Sequence, residues 1–296
     1  MNEDCSADNL LVCSFLFVGW RDRILRSALF AGVANFMRSD WTETIKKHVR
    51  PTFYRLFGKA MGASYQCPIC QYEGPFKDKV VQKRPRLVRE ASKCPGCASA
   101  ERHRLMYLVI KDLAEDLRGE DRSVLHVAPE ACLQENLEGL FGTYHSMDLF
   151  RDDVMYREDL QAMSFASGSY DAVVVSRVLI SPPDLEACLR ECRRVLKPGG
   201  VFIIAELYPR AVTEEYEAMR GDRHRELGVD VLDRYRAHFD EVDLYDSERY
   251  PESFQLYNLM RIDGRIQDEF PDEVRAPGRG LKDVVAVCRV QHETSR

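Results

Sequence analysis

Four cysteines in two tight pairs, Cys67-Pro68-Ile69-Cys70 and Cys94-Pro95-Gly96-Cys97, are the residues of this chain best spaced for chemistry. C-x2-C spacing lets two thiolates of one knuckle take adjacent corners of a tetrahedron around Zn²⁺. The 23 residues from Gln71 to Lys93 separate the pairs, close to the usual gap of a four-cysteine zinc site. Proline after the first cysteine fixes one dihedral of the turn, and Gly96 is expected to supply a permissive φ. Two unrelated thiol pairs or two disulfides are the alternatives. The shared C-P-x-C pattern favours a single metal site with Cys67, Cys70, Cys94 and Cys97 as ligands. A redox pair would stand alone and follow a strand.

The other six cysteines, Cys5, Cys13, Cys132, Cys188, Cys192 and Cys288, sit mostly in apolar contexts. They do not form the even framework of a secreted disulfide protein, which fits a reducing cytoplasm. Cys188 and Cys192 are four apart on an expected helix and read as core packing rather than as half of a second metal site. The stretch Lys77–Lys93 holds seven Lys/Arg against two acids. Phosphate neutralisation is one use for it. Balancing the negative charge of a four-thiolate zinc site is another, and no interleaved aromatic residues offer base stacking. Nucleic acid is therefore a less favoured partner than a small molecule. The net charge of −6 hides a polarity: residues 1–118 carry 20 Lys/Arg against 13 Asp/Glu, and residues 119–296 carry 22 against 35.

The elements that must position these residues follow from periodicity. A chain of 296 residues suggests two domains or one domain with attachments. Residues 1–60 read as an extension of amphipathic helices, with Ile24, Leu25, Leu29, Phe30, Val33 and Phe36 at helical spacing. The run Leu10–Trp20 is too short to span a bilayer and is preceded by acids, so it reads as a docking segment for a protein partner rather than a transmembrane or signal segment. Residues 61–99 hold the metal module. A linking helix over 100–119 places Leu105, Leu108, Val109, Leu113 and Leu117 on one face, with Ser99 as its expected N-cap. From residue 120 to 292 strands and helices alternate. The strand candidates are Ser123–Val127, Tyr144–Asp148, Asp171–Ser176, Val201–Glu206, Glu241–Tyr245 and Val284–Val290, with a helix over Asp184–Leu196. That alternation argues an α/β fold with a doubly wound, mostly parallel sheet, whose ligands sit beyond the C-terminal strand ends.

Gly168-Ser169-Tyr170-Asp171-Ala172-Val173-Val174-Val175-Ser176, followed by Arg194-Val195-Leu196-Lys197-Pro198-Gly199-Gly200-Val201, resembles the class I S-adenosylmethionine-dependent methyltransferases. Leu125-His126-Val127-Ala128-Pro129-Glu130, preceded by Cys94-Pro95-Gly96-Cys97-Ala98-Ser99-Ala100-Glu101-Arg102-His103-Arg104, is similar to a bacterial subgroup with an N-terminal zinc-ribbon-like segment. The resemblance covers roughly residues 64–290 and leaves residues 1–60 aside. It implies a seven-stranded Rossmann-like sheet, S-adenosylmethionine as cofactor and a structural zinc that clamps the leading segment to the cofactor domain.

The resemblance also implies site residues. Ala128, Pro129 and Glu130, the loop after the first strand, would wrap the methionine part of the cofactor, where most relatives have glycines. Asp148, ending the second strand, would accept the ribose hydroxyls. Asp159 and Leu160 would meet the adenine amino group and ring. Ser176 closes the fourth strand. Relatives then carry a H-V-L-E-H stretch; here Arg177-Val178-Leu179-Ile180-Ser181 replaces it, so either the substrate differs or catalysis has been lost. His224 would be a base and Arg225 a grip for an anionic substrate, with Tyr208 a further pocket residue. The expected activity is methyl transfer to a small molecule or biosynthetic intermediate. The rivals are a non-catalytic methyltransferase-like scaffold subunit and an RNA methyltransferase led by its basic ribbon.

Overall fold

The computed structural model describes residues 65–83 and 85–291, which fall within one compact unit, Pro51–Arg296. The expectations for residues 1–60 lie outside the described residues. Strands β1 (Tyr65–Gln66) and β2 (Glu73–Gly74) pair antiparallel around the first cysteine knuckle. Strands β3 (Lys77–Lys83) and β4 (Arg86–Lys93) form a longer hairpin that leads into the second knuckle. Composition alone leaves this segment without structure, because β3 is an edge strand with almost every residue exposed and no burial alternation to read.

Helix α1 (Glu101–Asp112) starts directly after the second knuckle, and α2 (Ala114–Leu117) continues it beyond Leu113. Leu105, Leu108, Val109, Leu113 and Leu117 are all buried, as their spacing requires. Ser99 does not cap the helix. Ala100 holds the N-cap position without a side-chain bond, and the Ser99 hydroxyl faces the cysteine sulfurs instead.

The α/β unit then runs β5 (Gly119–Val127), α3 (Ala131–Glu138), β6 (Phe141–Asp148), β7 (Tyr156–Arg157), β8 (Tyr170–Ser176), α4 (Leu185–Val195) and β9 (Leu196–Glu206). A hairpin of β10 (Glu214–Arg220) and β11 (Arg223–Glu226), helix α5 (Val231–His238) and β12 (Glu241–Asp246) follow. Five short strands come next, β13 (Tyr257–Asn258), β14 (Met260–Ile262), β15 (Arg265–Ile266), β16 (Arg275–Ala276) and β17 (Gly280–Lys282), before β18 (Val284–Arg289). The main sheet has seven strands in the order β12-β18-β9-β8-β5-β6-β7. Only β18 runs against its neighbours β9 and β12, so the sheet is mixed rather than wholly parallel.

Every residue of β8 is buried, which is why its β-branched run shows no alternation. Val173 and Val175 enter the core under α4 and α5; Ala172 and Val174 enter the one under α1 and α3. Cys188 and Cys192 of α4 lie fully buried in the first of these cores and are packing residues, not ligands. The two halves of the 168–201 signature meet at the N-terminal edge of the sheet. Lys197 Nζ lies 2.6 Å from Asp171 Oδ2, which also accepts from the Ser123 amide at 2.8 Å. At Gly200 a Cβ would stand 2.8 Å from the Lys197 carbonyl oxygen, so only glycine lets this turn close. These residues are therefore structural, at the end of the sheet opposite its ligand edge.

The cysteine segment is tied into the rest of the described unit. β14 pairs with β4 (Met260 with Arg89, Ile262 with Leu87), giving a four-stranded sheet β15-β14-β4-β3 that joins residues 77–93 to an insertion more than 160 residues later in the chain. Arg104, fully buried on α1, locks the same junction. It donates to the carbonyls of Ser92 (3.1 Å), Ser99 (2.9 Å) and Phe254 (2.9 Å) and to that of Gln255, and its guanidinium lies 4.5 Å over the Phe76 ring. The expected boundaries at residues 99 and 119 are thus crossed by hydrogen bonds. No helix among the described residues is long and apolar enough to cross a membrane.

Candidate cofactor site and four-cysteine cluster

The sulfurs of Cys67, Cys70, Cys94 and Cys97 all lie within 4.8 Å of one another, and none is in a disulfide. Two edges, Cys67–Cys97 and Cys70–Cys94, measure 3.6 Å. A tetrahedron with Zn–S bonds of about 2.3 Å has edges of about 3.8 Å. The knuckles are built alike. In each, the residue after the second cysteine has a left-handed φ, 60° at Gln71 and 59° at Ala98. Its amide closes the turn on the first cysteine's carbonyl at 2.9 Å in both cases. Gly96 is not in the left-handed region, contrary to the sequence expectation. It is needed for space, because a Cβ there would stand 2.9 Å from Cys70 Sγ. The Gly96 amide donates to Cys94 Sγ at 3.3 Å, and Ser99 Oγ lies 3.2 Å from Cys97 Sγ and 3.5 Å from Cys67 Sγ. Donors directed at sulfur stabilise thiolates, and such outer contacts orient metal ligands.

The second knuckle sets the start of α1, and α1 reaches both sides of the point where the sheet reverses its winding, between β5 and β8. On one side His103 Nε2 lies 3.2 Å from Glu130 Oε1, a close polar contact off the hydrogen-bond line. On the other, Arg102 Nε donates to Ser176 Oγ at 3.2 Å. Ligands of open α/β sheets bind at this reversal, beyond the strand ends. Its backbone is strained on both flanks: Ala128, after β5, has φ 49° and Arg177, after β8, has φ 58°. Non-glycine residues in this region cost about 1 kcal/mol each and gather at functional sites. Ala128 stands where relatives were expected to carry glycine; it keeps glycine's conformation with the smallest side chain.

The structure places the other expected cofactor residues as follows. Pro129 is buried and its carbonyl accepts from Arg151 at 2.7 Å. Glu130 is not a free loop acid. His126, fully buried on β5, bonds it at 3.1 Å and bonds Tyr144 at 3.0 Å through its other nitrogen. Burial opposes the Glu130 charge, but His103 and His126 outweigh it and hold the carboxyl well below its ordinary range. Asp148 ends β6 and its Oδ1 accepts from the amides of Phe150 (2.8 Å) and Arg151 (3.0 Å), which fixes the carboxylate at the strand tip. Asp159 is half-buried and braces its own turn through Gln161; Leu160 is buried in the core beneath. Ser176 is buried and held by Arg102.

At the ends of β8 and β9 the structure shows a group the sequence reading passed over. Glu206, the last residue of β9, is 1% exposed. Its Oε1 accepts from the Leu179 amide at 3.0 Å, and its Oε2 has no partner among the described residues. Burial pushes this carboxyl up to about 7 despite the nearby Arg177. Arg177 is paired with the buried Asp283 at 2.9 Å, and burial pulls its guanidinium down to about 10. Tyr208 is fully buried beside Tyr235, whose hydroxyl is its own hydroxyl's polar neighbour. A glutamate ending an otherwise apolar strand was the available signal for Glu206.

The segment after β9 forms the β10–β11 hairpin. His224 is half-exposed on β11, its amide bonded to the Ile180 carbonyl at 2.9 Å. Arg225 is fully buried and cannot grip a substrate anion. It donates to the carbonyls of Leu179 (2.8 Å), Pro182 (2.6 Å) and Pro183 (2.8 Å) and pairs with Glu215 at 2.8 Å. It clamps the loop after β8 instead. In the basic ribbon, Arg89 is buried against Glu101 at 2.8 Å, which removes it from any phosphate-binding face.

Residues 142–204 match the profile of a family described as a methyltransferase domain, spanning β6 to β9. Within the α/β unit, the match takes in the strands β6, β8 and β9 that form the middle of the main sheet. Among curated relatives of this domain, the sterol 24-C-methyltransferase of Yarrowia lipolytica is 38% identical over 88 residues, 29% of this chain and 22% of that protein. The arsenite methyltransferase of Aquipseudomonas alcaligenes is 42% identical over 53 residues, 18% of this chain and 15% of that protein. The matches thus span less than a quarter of these relatives. A solved structure of a 1,6-didemethyltoxoflavin N1-methyltransferase of Burkholderia thailandensis superposes at a TM-score of 0.44 with 17% identity, covering 65% of this chain and 79% of that one.

Proposed function

We propose that the protein transfers a methyl group from S-adenosylmethionine to a small-molecule acceptor, with a structural zinc in the four-cysteine cluster. The observation that carries the reading is the convergence of fixed polar groups at the reversal point of a methyltransferase-domain sheet: Asp148 at the tip of β6, the strained Ala128 loop after β5, and Ser176 and Arg177 after β8. The Asp148 carboxylate suits a vicinal diol such as the ribose, its Oδ1 steadied by two amides. Asp159 and Leu160 lie one loop further on and would border the adenine.

Bound S-adenosylmethionine supplies an electrophilic methyl on a sulfonium; the acceptor–carbon bond forms as the carbon–sulfur bond breaks, and an O–H or N–H acceptor must then lose a proton. The chain's task is alignment and removal of that proton. Glu206, titrating near neutrality at the end of β9, is the carboxyl among the described residues best tuned for it. The cysteine cluster fits zinc by donor type, edge length and outer-shell donors.

The test is calorimetric titration of the purified protein with S-adenosylmethionine, repeated on Asp148→Ala. Binding in the micromolar range is expected, weakened about tenfold or more by the substitution, as for loss of a charge-assisted pair. No binding at millimolar cofactor removes the enzyme reading and leaves a scaffold built on a methyltransferase domain.

A further inference from the structure

The β3–β4 hairpin sets cations directly opposite one another. Lys77 stands in register with Lys93, Lys79 with Arg89 and Lys83 with Arg86. Residues directly opposite in an antiparallel pair hold their Cβ atoms about 5 Å apart, where like charges repel. The hairpin's own acids do not relieve this. Asp78 Oδ1 accepts from the Ala91 amide at 2.9 Å, and Glu90 pairs with Arg261 at 2.6 Å. Arg89 has Glu101, but Lys79 and Lys93 pair with no carboxylate among the described residues. Burial and the charges of Arg89, Lys93 and Arg102 hold the Lys79 ammonium below its ordinary range. Balancing the cysteine sulfurs falls to a different cation, since it is the fully buried Arg104 whose charge meets Cys67, Cys94 and Cys97.

The faces of the hairpin differ in what they overlook. Lys79 shares a face with its register partner Arg89 and turns toward the first turn of α1, where it meets the charges of Glu101 and Arg102. Arg102 donates to Ser176 at the tip of β8, and its charge also reaches Glu206. The lysines therefore overlook the end of the main sheet where the proton acceptor was placed. Arg86 lies three residues before Arg89 on β4, so the Lys83–Arg86 pair belongs to the other face. Beside Arg89 in the sheet come Leu87, Met260 and Ile262, none of them a ring on which a base could stack. Compact ammonium groups act as point charges and suit a phosphate with several charged oxygens, whereas a lone carboxylate matches the planar fork of arginine.

We infer that the Lys79–Lys93 face of the hairpin anchors the methyl acceptor, and that this acceptor is a small phosphorylated molecule. The inference rests on the methyltransferase reading, and two probes separate them: S-adenosylhomocysteine by calorimetry, and glycerol 3-phosphate by phosphorus NMR titration at low salt. The zinc-loaded full chain, saturated with S-adenosylhomocysteine, is expected to bind glycerol 3-phosphate at about 0.1–1 mM without releasing the nucleoside. Lys79→Gln should weaken glycerol 3-phosphate about tenfold and leave S-adenosylhomocysteine within about twofold. Lys83→Gln, on the other face, should change neither. If S-adenosylhomocysteine binds and glycerol 3-phosphate does not, the anchor is overturned and the methyltransferase reading stands. If only glycerol 3-phosphate binds, that reading fails and the acceptor role falls with it. Equal losses in the Lys79 and Lys83 variants would show diffuse attraction rather than a site, and displacement of S-adenosylhomocysteine would put the phosphate in the cofactor's place; either result overturns the inference. So does an oligouridylate of about twelve nucleotides that binds about a hundredfold tighter than glycerol 3-phosphate, which would assign the face to nucleic acid.

Discussion

Glu206→Gln isolates the ionisation of one buried carboxyl. The amide fills the same volume and keeps an oxygen for the Leu179 N–H, so what it removes is chiefly the charge. The folded state holds the Glu206 carboxyl at about 7 against an ordinary 4.5, because burial outweighs the Arg177 charge and the amides of Leu179 and Val178. Below 4.5 the carboxyl is protonated in both folded and unfolded chains. Between the two values the unfolded chain ionises while the folded one stays protonated, so the wild type loses stability as pH rises, and the loss is complete above about 7. At about 1.4 kcal/mol per pH unit the gap from 4.5 to about 7 amounts to about 3 kcal/mol. Arg177, at about 10, stays charged throughout this window and contributes no competing titration. The assay is urea unfolding of wild type and variant from about pH 5 to about pH 8 at fixed zinc. The variant should gain about 2–3 kcal/mol on the wild type across that range. A difference that stays constant with pH refutes the buried-carboxyl reasoning, and with it the choice of Glu206 as proton acceptor.

Arg104→Met deletes donors to four carbonyls and the guanidinium over the Phe76 ring. A loss of about 3–5 kcal/mol is expected, read as a lowered urea midpoint; a change under about 1 kcal/mol would show that α1 does not lock the ribbon to the insertion. Gly96→Ala forces a methyl against Cys70 Sγ and should weaken zinc retention under chelator challenge, whereas Cys67→Ser should abolish stoichiometric zinc. A full equivalent of zinc in purified Cys67→Ser protein would take that cysteine out of the ligand set.

The main sheet was legible because its signals are local. A β-branched run such as Asp171–Ser176 has to be buried on both faces, and its place in the alternation gives the winding. The cysteine pairs were legible because C-x2-C spacing brings both sulfurs of a pair to one turn. The ribbon hairpin and the 257–282 strands were not, since their pairing partners are remote in sequence and their exposed edges carry no periodicity. Arg225 read as a substrate ligand because sequence shows a charge but not the carbonyls that surround it. Ser99 read as a helix cap for the same reason: its hydroxyl had two possible partners, and the sulfurs of the folded knuckle took it.

By itself, then, the sequence determined a mostly parallel α/β sheet, a four-cysteine cluster and the helix that joins them. Those features depend on side-chain type and on spacing over a few residues. Only the tertiary structure decided which charges are spent and which are free. Arg104, Arg225 and Arg102 are alike in sequence, but the first two are consumed by backbone carbonyls brought from 150 and 43 residues away, and Arg102 is not. The same long-range packing removed water from Glu206 and moved its ionisation to near neutrality. Desolvation and pairing depend on what the fold places alongside a group, and no local pattern records that.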